Sequence, residues 1–498
     1  MKEDDMYICT VMKSSYEMIV AFFSILSIGA AMIPLSPDLM PAEVMDFYTR
    51  FNAQGIIAHS STPNLGDTIR VHGQKTGCTL ALLPVVKTRS EIFQTIEKPY
   101  IDPAITISPN RPVIALFSSG TTGPPKGIIH ALRYFTAHMG PLPQEPGTAL
   151  SHRPMQYGAS LTAVVNAILR GMQLEILVPN AGPSQIWERL HQGGVTNLAG
   201  SVGFWVNLME YFEQKLDCLP EGKKKPYTDG VRSLRVANCS GAMAMPTTKM
   251  FWKSMRGRPL QMVWGSTESS IGLKTGSDRD FIDSNAIGKP VSDVEVKLSE
   301  GDHGEMKVKT PTMFLRYWNN ERATRDAFDE DGFYRTGDLV HRLGDDYIIE
   351  GRAATDIINC GGAKTPILDV ETGLSKLDYI SEASVLPVKD PKKGNRVAAL
   401  VRTRLNQSQL TLQVLRNDLA SHLPAFQLPT VLRVLCDYEQ IPRTISGKVA
   451  RQEAKDRYFP QNAVDPCLED LPQEVQVDNF GPDTEFRSRR MWDTGGVQ

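Results

Sequence analysis

Apolar runs and helical patterns alternate along about the first 290 residues of the chain. Residues 55–58, 174–178 and 234–237 are short apolar runs of the kind that form buried strands. Residues 185–192 and 204–215, which lie between the last two runs, carry the spacing of amphipathic helices. This alternation indicates an α/β fold with largely parallel sheets.

The pattern changes twice further along the chain. Between about residues 291 and 350, glycines separate short alternating runs, which predicts a small, mostly antiparallel and barrel-like β subdomain. After Arg352 the mixture of helical and strand patterns returns. We therefore predict a large N-terminal domain over residues 1–350, a small α+β domain over residues 351–460 and a loosely ordered tail over residues 461–498.

One apolar segment near the N-terminus is long enough to resemble a membrane span. Residues 18–35 carry no charge, but Gly29 and Pro34 interrupt them. Their pattern fits a buried helix, a glycine at its C-terminus and a buried strand. Acidic residues before the segment also exclude a secretory signal peptide. We therefore expect a soluble chain.

Composition adds few constraints on function. The 498 residues carry a formal net charge of −2, with 41% hydrophobic and 22% charged residues, which is ordinary for a globular protein and does not indicate a nucleic-acid binder. The seven cysteines are scattered without a Cys-x-x-Cys pair. This excludes a disulfide framework and a structural zinc site, and it predicts a reducing, cytoplasmic location.

A glycine- and threonine-rich loop follows the predicted strand at residues 113–117. It reads Ser118-Ser119-Gly120-Thr121-Thr122-Gly123-Pro124-Pro125-Lys126-Gly127. Glycines let backbone N–H groups approach an anion, and hydroxyl groups and a lysine complete a phosphate cradle. The loop lacks the Gly-Lys-Ser/Thr ending of a Walker A motif. Taken alone, it is equally consistent with a solvated turn.

Five further motifs follow the loop in a fixed order. They are Trp264-Gly265-Ser266-Thr267-Glu268-Ser269, Tyr334-Arg335-Thr336-Gly337-Asp338, Gly351-Arg352 with Asp356 and Gly361-Gly362, Leu423-Pro424 with Pro429, and Pro442-Arg443-Thr444-Ile445-Ser446-Gly447-Lys448. In this order and spacing, the six motifs resemble the adenylate-forming superfamily of acyl-CoA synthetases, adenylation domains and beetle luciferases. The resemblance covers residues 7 to about 455.

The resemblance implies a two-step reaction. ATP activates a carboxylic acid as an acyl-adenylate, and the acyl group then passes to coenzyme A. Two anions meet in the first step, so the site must supply positive charge and fixed hydrogen-bond donors. The residues that would bind ATP or AMP are Ser118, Ser119, Gly120, Thr121, Thr122, Gly123, Lys126, Gly241, Ala242, Trp264, Gly265, Thr267, Asp338, Arg352 and Lys448.

Individual roles follow from the same resemblance. Lys448, Thr121 and Glu268 would be catalytic, with Glu268 also binding Mg²⁺ beside the phosphates. Lys448 would neutralise the adenylation transition state. Asp338 would accept both ribose hydroxyls, and Trp264 would stack on adenine, where the family more often has tyrosine. Taken singly, Trp264 would also suit a hydrophobic core and Asp338 a surface turn.

The identity of the acid is less constrained. Residues 151–160 and the turn at residues 238–243 are predicted to line the acyl pocket. The predicted wall residues are Met155, Tyr157, Gly158 and Met243. These segments contain no aspartate for a substrate ammonium, which argues against an α-amino acid and leaves fatty, aryl and short dicarboxylic acids open. Either His152 or Arg153 could meet a second carboxylate or a hydroxyl group.

Two acceptors for the second step stay open, and so does a non-catalytic interpretation of the whole chain. Gly361 and Gly362 would leave room for the pantetheine arm of coenzyme A, which is the first choice of acceptor. A separate carrier protein is the alternative, since no carrier segment follows Lys448. The third is a non-catalytic nucleotide-binding relative. It is motivated by Ala354 at the predicted hinge of the mobile C-terminal domain and by the short segment before the first motif.

Overall fold

The computed structural model describes residues 5–58, 69, 71, 73–75, 82–84, 106–117, 126–137, 142, 145–177, 181–276, 281–282, 284–352, 356–360, 363–390, 394–404, 410–436, 438–444, 448–461, 468 and 471–477. The chain divides into two units, Met1–Ile349 and Glu350–Gln498, here named the large unit and the small unit. Residues 118–125 of the predicted phosphate loop, and residues 353–355 of the hinge predicted over residues 351–355, lie outside the described residues.

The described strands are numbered in chain order. They are β1 (Tyr7–Val11), β2 (Ala31–Leu35), β3 (Gly55–Ala58), β4 (Leu82–Pro84), β5 (Pro112–Phe117), β6 (Gly127–Ala131), β7 (Thr148–Ser151), β8 (Gln173–Ile176), β9 (Val195–Ser201), β10 (Val236–Ser240), β11 (Gln261–Ser266), β12 (Ser270–Lys274), β13 (Ala286–Pro290), β14 (Glu295–Glu300), β15 (His303–Lys309), β16 (Arg316–Tyr317), β17 (Tyr334–Leu343), β18 (Asp346–Arg352), β19 (Ile357–Cys360), β20 (Ala363–Pro366), β21 (Ile380–Asp390), β22 (Gly394–Thr403), β23 (Val431–Val434) and β24 (Val475–Val477).

The described helices are numbered in the same way. They are α1 (Tyr16–Ser27), α2 (Pro41–Arg50), α3 (Arg133–Thr136), α4 (Gly158–Leu169), α5 (Pro183–His191), α6 (Val202–Tyr211), α7 (Glu221–Arg232), α8 (Pro246–Arg256), α9 (Glu321–Asp326), α10 (Ile367–Ser375), α11 (Leu412–Leu419) and α12 (Arg451–Tyr458). A π-helical turn at Phe212–Leu216 and a 3₁₀ turn at Ala425–Gln427 complete the set.

The first sheet of the large unit has the strand order β16-β6-β5-β2-β1-β3-β4. Strand β1 pairs in parallel with β2 and β3, whereas β5–β6 and β6–β16 are antiparallel pairs. Helix α1 covers one face, where Met18 and Phe22 pack in one core with Ile114 and Leu116. The edge pairing of β16 with β6 positions the candidate site, because β6 begins directly after Lys126.

The second sheet has the order β14-β15-β17-β18-β13-β12-β11-β10-β9-β7-β8. Strands β7 to β11 pair in parallel, so their carboxyl ends lie along one edge of the sheet. The predicted antiparallel region continues this sheet through the β12–β13 pairing. The predicted class, α/β sheets in a large domain followed by a smaller α+β domain, is confirmed.

The small unit is built on the sheet β20-β19-β22-β23-β24, with β21 paired to β22. Helices α10 and α11 cover one face, where Val370 and Leu415 are fully buried. Helix α12 packs on the other face through Ala454 and Tyr458. The unit therefore has apolar cores of its own on both faces of its sheet.

The apolar segment at residues 18–35 forms the predicted helix, turn and strand. Helix α1 ends at Ser27, Gly29 has φ +90°, and β2 begins at Ala31. A positive φ is readily adopted by glycine, which explains the residue at this turn. Among the described helices, none has the length and apolar character needed to cross a membrane.

Candidate active site

The two ends of the predicted phosphate loop are brought together by the β5–β6 pairing, in which Phe117 lies opposite Gly127. Lys126 is exposed and directly precedes β6. A Cβ atom on Gly127 would lie 2.6 Å from a ring atom of Phe51, so this position has no room for a side chain. The predicted contacts of Ser118 to Gly123 fall outside the described residues.

Tyr317 joins the predicted phosphate lysine to the predicted metal carboxylate. The Tyr317 hydroxyl donates a hydrogen bond to Oε1 of Glu268 at 3.0 Å, and Nζ of Lys126 lies 5.3 Å from the centroid of the Tyr317 ring. Burial, and then the negative charge of Glu268, raise the pKa of Tyr317. The hydroxyl therefore stays protonated and acts as a donor to Glu268.

This contact depends on a segment that is attached to both sheets, residues 310–318, here named the bridging segment. Tyr317 lies opposite Ile128 in the β16–β6 pairing. Three residues before Tyr317, the N–H of Phe314 donates to the backbone oxygen of Glu268 at 2.8 Å. Lys126 and Glu268 come from different sheets, and the bridging segment brings them to the same tyrosine.

Trp264 and Asp338 form a second pair in the large unit. The indole Nε1 of Trp264 donates to Oδ2 of Asp338 at 2.8 Å, and both side chains are buried. The N–H of Asp338 donates to Oγ1 of Thr336 at 3.0 Å. A Cβ atom on Gly272 would lie 2.6 Å from the indole, so this glycine leaves room for the ring. The predicted stacking of Trp264 on adenine stays a prediction.

The other predicted nucleotide contacts of the large unit lie at the carboxyl ends of β10 and β11. Gly241 follows β10 with φ +88°, and Ala242 beside it is exposed. A Cβ atom on Gly265 would lie 2.2 Å from the backbone oxygen of Ser270, which requires glycine there. Thr267 is half-buried immediately before Glu268.

The predicted acyl-pocket residues occupy different environments. Met155 is fully buried in the core of the first sheet, and its N–H donates to Oγ of Ser14 at 2.7 Å. Tyr157 is exposed, and Gly158 begins helix α4. Met243 is half-buried beside the Gly241 turn. Met155 therefore supports the fold around this segment, while Tyr157 is the exposed member of the predicted set.

In the small unit, Lys448 is exposed and is held through its backbone. Its carbonyl oxygen accepts from the N–H of Thr444 at 2.7 Å. Arg352 is also exposed, and its N–H donates to Oδ2 of Asp356 at 3.2 Å. The predicted coenzyme A residues, Gly361 and Gly362, lie outside the described residues.

Arg451 connects the lysine-bearing segment to the start of the small unit. Its guanidinium contacts Oδ1 of Asp356 at 2.7 Å and Oε1 of Glu371 at 3.5 Å. Glu371 is buried and also accepts from the N–H of Val385 at 3.0 Å. Burial raises the pKa of Glu371, while the positive charge of Arg451 opposes that shift. Arg451, which the sequence analysis did not identify, fixes α12 to two acidic residues.

Across the described part of the chain, no group of three or more His, Cys, Asp or Glu side chains could hold a metal ion.

Comparison with known proteins gives a consistent family assignment. The model of the AMP-binding enzyme family matches residues 2–318, and that of the AMP-binding enzyme C-terminal domain matches residues 369–448. The chain is 35% identical over 480 residues to the acyl-CoA ligase oryP of Aspergillus oryzae, with 94% of this chain and 86% of the relative covered. It is 27% identical over 488 residues to the malonate–CoA ligase of Arabidopsis thaliana, with 89% and 77% covered.

Solved structures show the same fold. ATP-bound MatB from Rhodopseudomonas palustris aligns with a TM-score of 0.73 at 21% identity, over 91% of this chain and 89% of that one. The amide bond synthetase McbA from Marinactinospora thermotolerans aligns with a TM-score of 0.74 at 19% identity, over 91% and 90%. The motifs, the fold and the family models agree: the chain belongs to the AMP-binding enzyme family, and its predicted membership of the adenylate-forming superfamily is confirmed.

Proposed function

We infer that this chain is an AMP-forming acid–thiol ligase that converts a carboxylic acid into its coenzyme A thioester. A carboxylate oxygen attacks the α-phosphorus of ATP, pyrophosphate leaves and an acyl-adenylate forms. The thiol of coenzyme A then attacks the acyl carbon and loses its proton, and AMP leaves. Similarity to an acyl-CoA ligase over 94% of this chain supports the overall reaction.

The structural observation that carries the inference is the meeting of Lys126 and Glu268 at Tyr317. A metal-bound triphosphate requires a cation and a carboxylate close together, because the phosphates need positive charge and the metal needs an anionic ligand. Tyr317 contacts both groups. We propose that Lys126 contacts the phosphates and that Glu268 binds Mg²⁺.

The carboxylate of Glu268 fits this role. Its Oε1 accepts from Tyr317, and its Oε2 has no hydrogen-bond partner within the part of the chain that the structure describes. One carboxylate oxygen is thus fixed and the other is available to a cation. When bound, Mg²⁺ would neutralise part of the triphosphate charge.

Asp338 is proposed to accept hydrogen bonds from the ribose hydroxyls. Its Oδ2 accepts a hydrogen bond from the indole of Trp264, and a carboxylate with two acceptor oxygens suits a vicinal diol. In the small unit, Lys448 is proposed to stabilise the charge that develops during adenylation, and Arg352 to contact ribose or phosphate. Thr121 keeps its predicted phosphate role as a proposal.

Coenzyme A is the proposed acceptor, and a separate carrier protein is the alternative. ATP–pyrophosphate exchange tests the first step without any acceptor. Fatty, aryl and dicarboxylic acids should be compared, with malonate included because a relative is a malonate–CoA ligase. The mass of the product after addition of coenzyme A then tests the second step. Absence of exchange with every acid would support the non-catalytic interpretation.

A further inference from the structure

Arg153 is a partly buried cation without a counter-charge. Its guanidinium donates no hydrogen bond and forms no ion pair with any residue that the structure describes, and its carbonyl oxygen accepts from Oγ of Ser160 at 2.9 Å. Burial lowers the pKa of Arg153, and no carboxylate opposes that shift. Removing a charge from water without pairing it costs free energy, so we expect such an arginine to pair with an anionic group of a bound ligand.

The neighbouring His152 is already used by the fold. Its Nε2 lies 2.9 Å from the backbone oxygen of Ala199, and its ring stacks on Phe204 with 4.0 Å between centroids and 19° between planes. Burial lowers the pKa of His152 to about 4, so the ring is neutral at pH 7. Of the two basic residues in this segment, only Arg153 therefore offers a charge to a ligand.

Arg153 lies at the edge of the sheet where ligands are expected. It follows the end of β7 by two residues, and Glu268 follows the end of β11 by two residues. The strands from β7 to β11 are parallel, so both residues belong to the carboxyl edge of the second sheet. The Gly241 turn, at the end of β10, lies on the same edge between them.

The separation of these two residues limits the size of the ligand. Strand order along the edge is β11-β10-β9-β7, which places three strand spacings between the ends of β11 and β7. With neighbouring strands about 4.8 Å apart, this corresponds to about 14 Å. The metal and the α-phosphate would lie on the Glu268 side, so an acid whose distal group reaches Arg153 would extend past the ends of β10 and β9.

A small cavity adjoins Arg153. It has a volume of about 30 Å³, and its lining includes Arg153, Ser151, Ser160, Ala163 and Leu174. One water molecule requires about 10–15 Å³ of such space, so the cavity accommodates about two non-hydrogen atoms. The cavity therefore has room for part of a carboxylate group beside Arg153.

We propose that Arg153 forms a subsite for a second anionic group on the acid, so that the substrate is a dicarboxylic acid longer than malonate. The proposal rests on the proposed acid-activating function and specifies its substrate class. The reacting carboxylate would lie near Glu268, the carbon chain would pass the Gly241 turn, and the distal carboxylate would pair with Arg153. An arginine–carboxylate pair supplies both charge and directed hydrogen bonds.

The test is ATP–pyrophosphate exchange with straight-chain dicarboxylates from malonate to suberate, each beside the monocarboxylate of equal length. The wild-type kcat/KM should peak at a dicarboxylate longer than malonate. In Arg153→Leu, kcat/KM for that acid should fall about 30-fold or more, because a buried charge pair is lost. The values for monocarboxylates should stay equal or rise. Arg153→Lys should retain part of the preference.

Two further measurements separate this proposal from the proposed function. The preferred dicarboxylate should raise the Tm of wild type and not of Arg153→Leu, which reports binding without turnover. Arg235→Leu is the matched control, since Arg235 is an exposed arginine just before β10, at the opposite edge of the same sheet. If the ratio of kcat/KM for the dicarboxylate to kcat/KM for the monocarboxylate is equal in wild type and Arg153→Leu, the proposed subsite is overturned. If wild type exchanges with no acid, the proposed function fails, and the Tm shift alone then decides whether the subsite exists.

Discussion

The indole N–H of Trp264 donates to Oδ2 of Asp338 at 2.8 Å, although 74 residues separate them in the chain. Both side chains are buried, and Asp338 also receives local support because its N–H donates to Thr336. The carboxylate proposed to bind ribose is thus oriented by the tryptophan that stands where the family more often has tyrosine. The contribution of Trp264 to nucleotide binding can therefore be tested through the ribose.

Trp264→Phe should weaken ATP binding by about tenfold at most, since it removes one hydrogen bond to a charged group and keeps an aromatic ring. Discrimination between ATP and 2′-deoxy-ATP should also fall, because Asp338 loses its orientation. Titration of both nucleotides by calorimetry checks this. The matched control is Trp187→Phe, which loses a core hydrogen bond to the Leu208 carbonyl. If the ratio of the Kd values for ATP and 2′-deoxy-ATP is unchanged in Trp264→Phe, Trp264 does not orient Asp338 for the ribose.

Tyr317→Phe should weaken metal binding without removing the ring below Lys126. The change deletes the hydroxyl that fixes Glu268, so the Mg²⁺ concentration for half-maximal exchange should rise about three- to tenfold, as expected for one hydrogen bond to a charged acceptor. Binding of Mn²⁺ to the protein–ATP complex, followed by electron paramagnetic resonance, should weaken in parallel.

A double-mutant cycle distinguishes this effect from general destabilisation. If Tyr317 acts through Glu268, Tyr317→Phe should add little in a Glu268→Gln background. Tyr347→Phe is the control, because Tyr347 is buried in the same core. Fully additive effects of the Tyr317 and Glu268 substitutions would show that Tyr317 is only structural.

The pH dependence of stability should contain a contribution from His152. Burial lowers its pKa to about 4, below the ordinary value of 6.5, so the folded protein binds fewer protons than the unfolded chain. The stabilising contribution is complete above pH 6.5 and is lost as the pH falls towards 4. Between pH 7 and pH 5 this corresponds to about 2 kcal/mol. In His152→Gln, which retains a donor for Ala199, the drop in Tm over this range should be smaller, and an identical drop would rule out His152.

Lys448→Ala should separate the two half-reactions. Loss of a cation that we propose acts only in the adenylation transition state should lower ATP–pyrophosphate exchange about 10²- to 10³-fold, by analogy with the removal of one electrostatic donor. Thioester formation from a synthetic acyl-adenylate should stay near the wild-type rate. Lys376→Ala, at an exposed lysine of the small unit, is the control. Equal losses in both half-reactions would assign Lys448 a structural role.

Local patterns predicted much of the fold because the strands and helices carry their own periodicity. The strand at residues 55–58 and the helix, glycine turn and strand at residues 18–35 were predicted in this way. The boundary of β10 differs by two residues from the predicted start at residue 234, because Leu234 packs in the core before the strand begins. Such ends depend on tertiary contacts.

The candidate site was only partly predictable. Glu268, Asp338 and Lys448 stand in motifs, so sequence order was enough to select them. Tyr317 stands outside the selected motifs, and its role depends on the β16–β6 pairing and on a hydrogen bond that spans 49 residues. The choice between His152 and Arg153 likewise required the contacts of Ala199 and Phe204, which local sequence does not specify.

The bridging segment has a consequence for the cooperativity of the site. Phe314 is hydrogen-bonded to Glu268, Thr312 donates to the Ser269 carbonyl at 2.7 Å, and Tyr317 is paired into the first sheet. A local opening that frees this segment would release Lys126, proposed to bind phosphate, and Glu268, proposed to bind the metal, in one event. We therefore expect no populated state of the large unit in which only one of Lys126 and Glu268 is in place. The amide protons of the bridging segment should exchange with solvent as one unit.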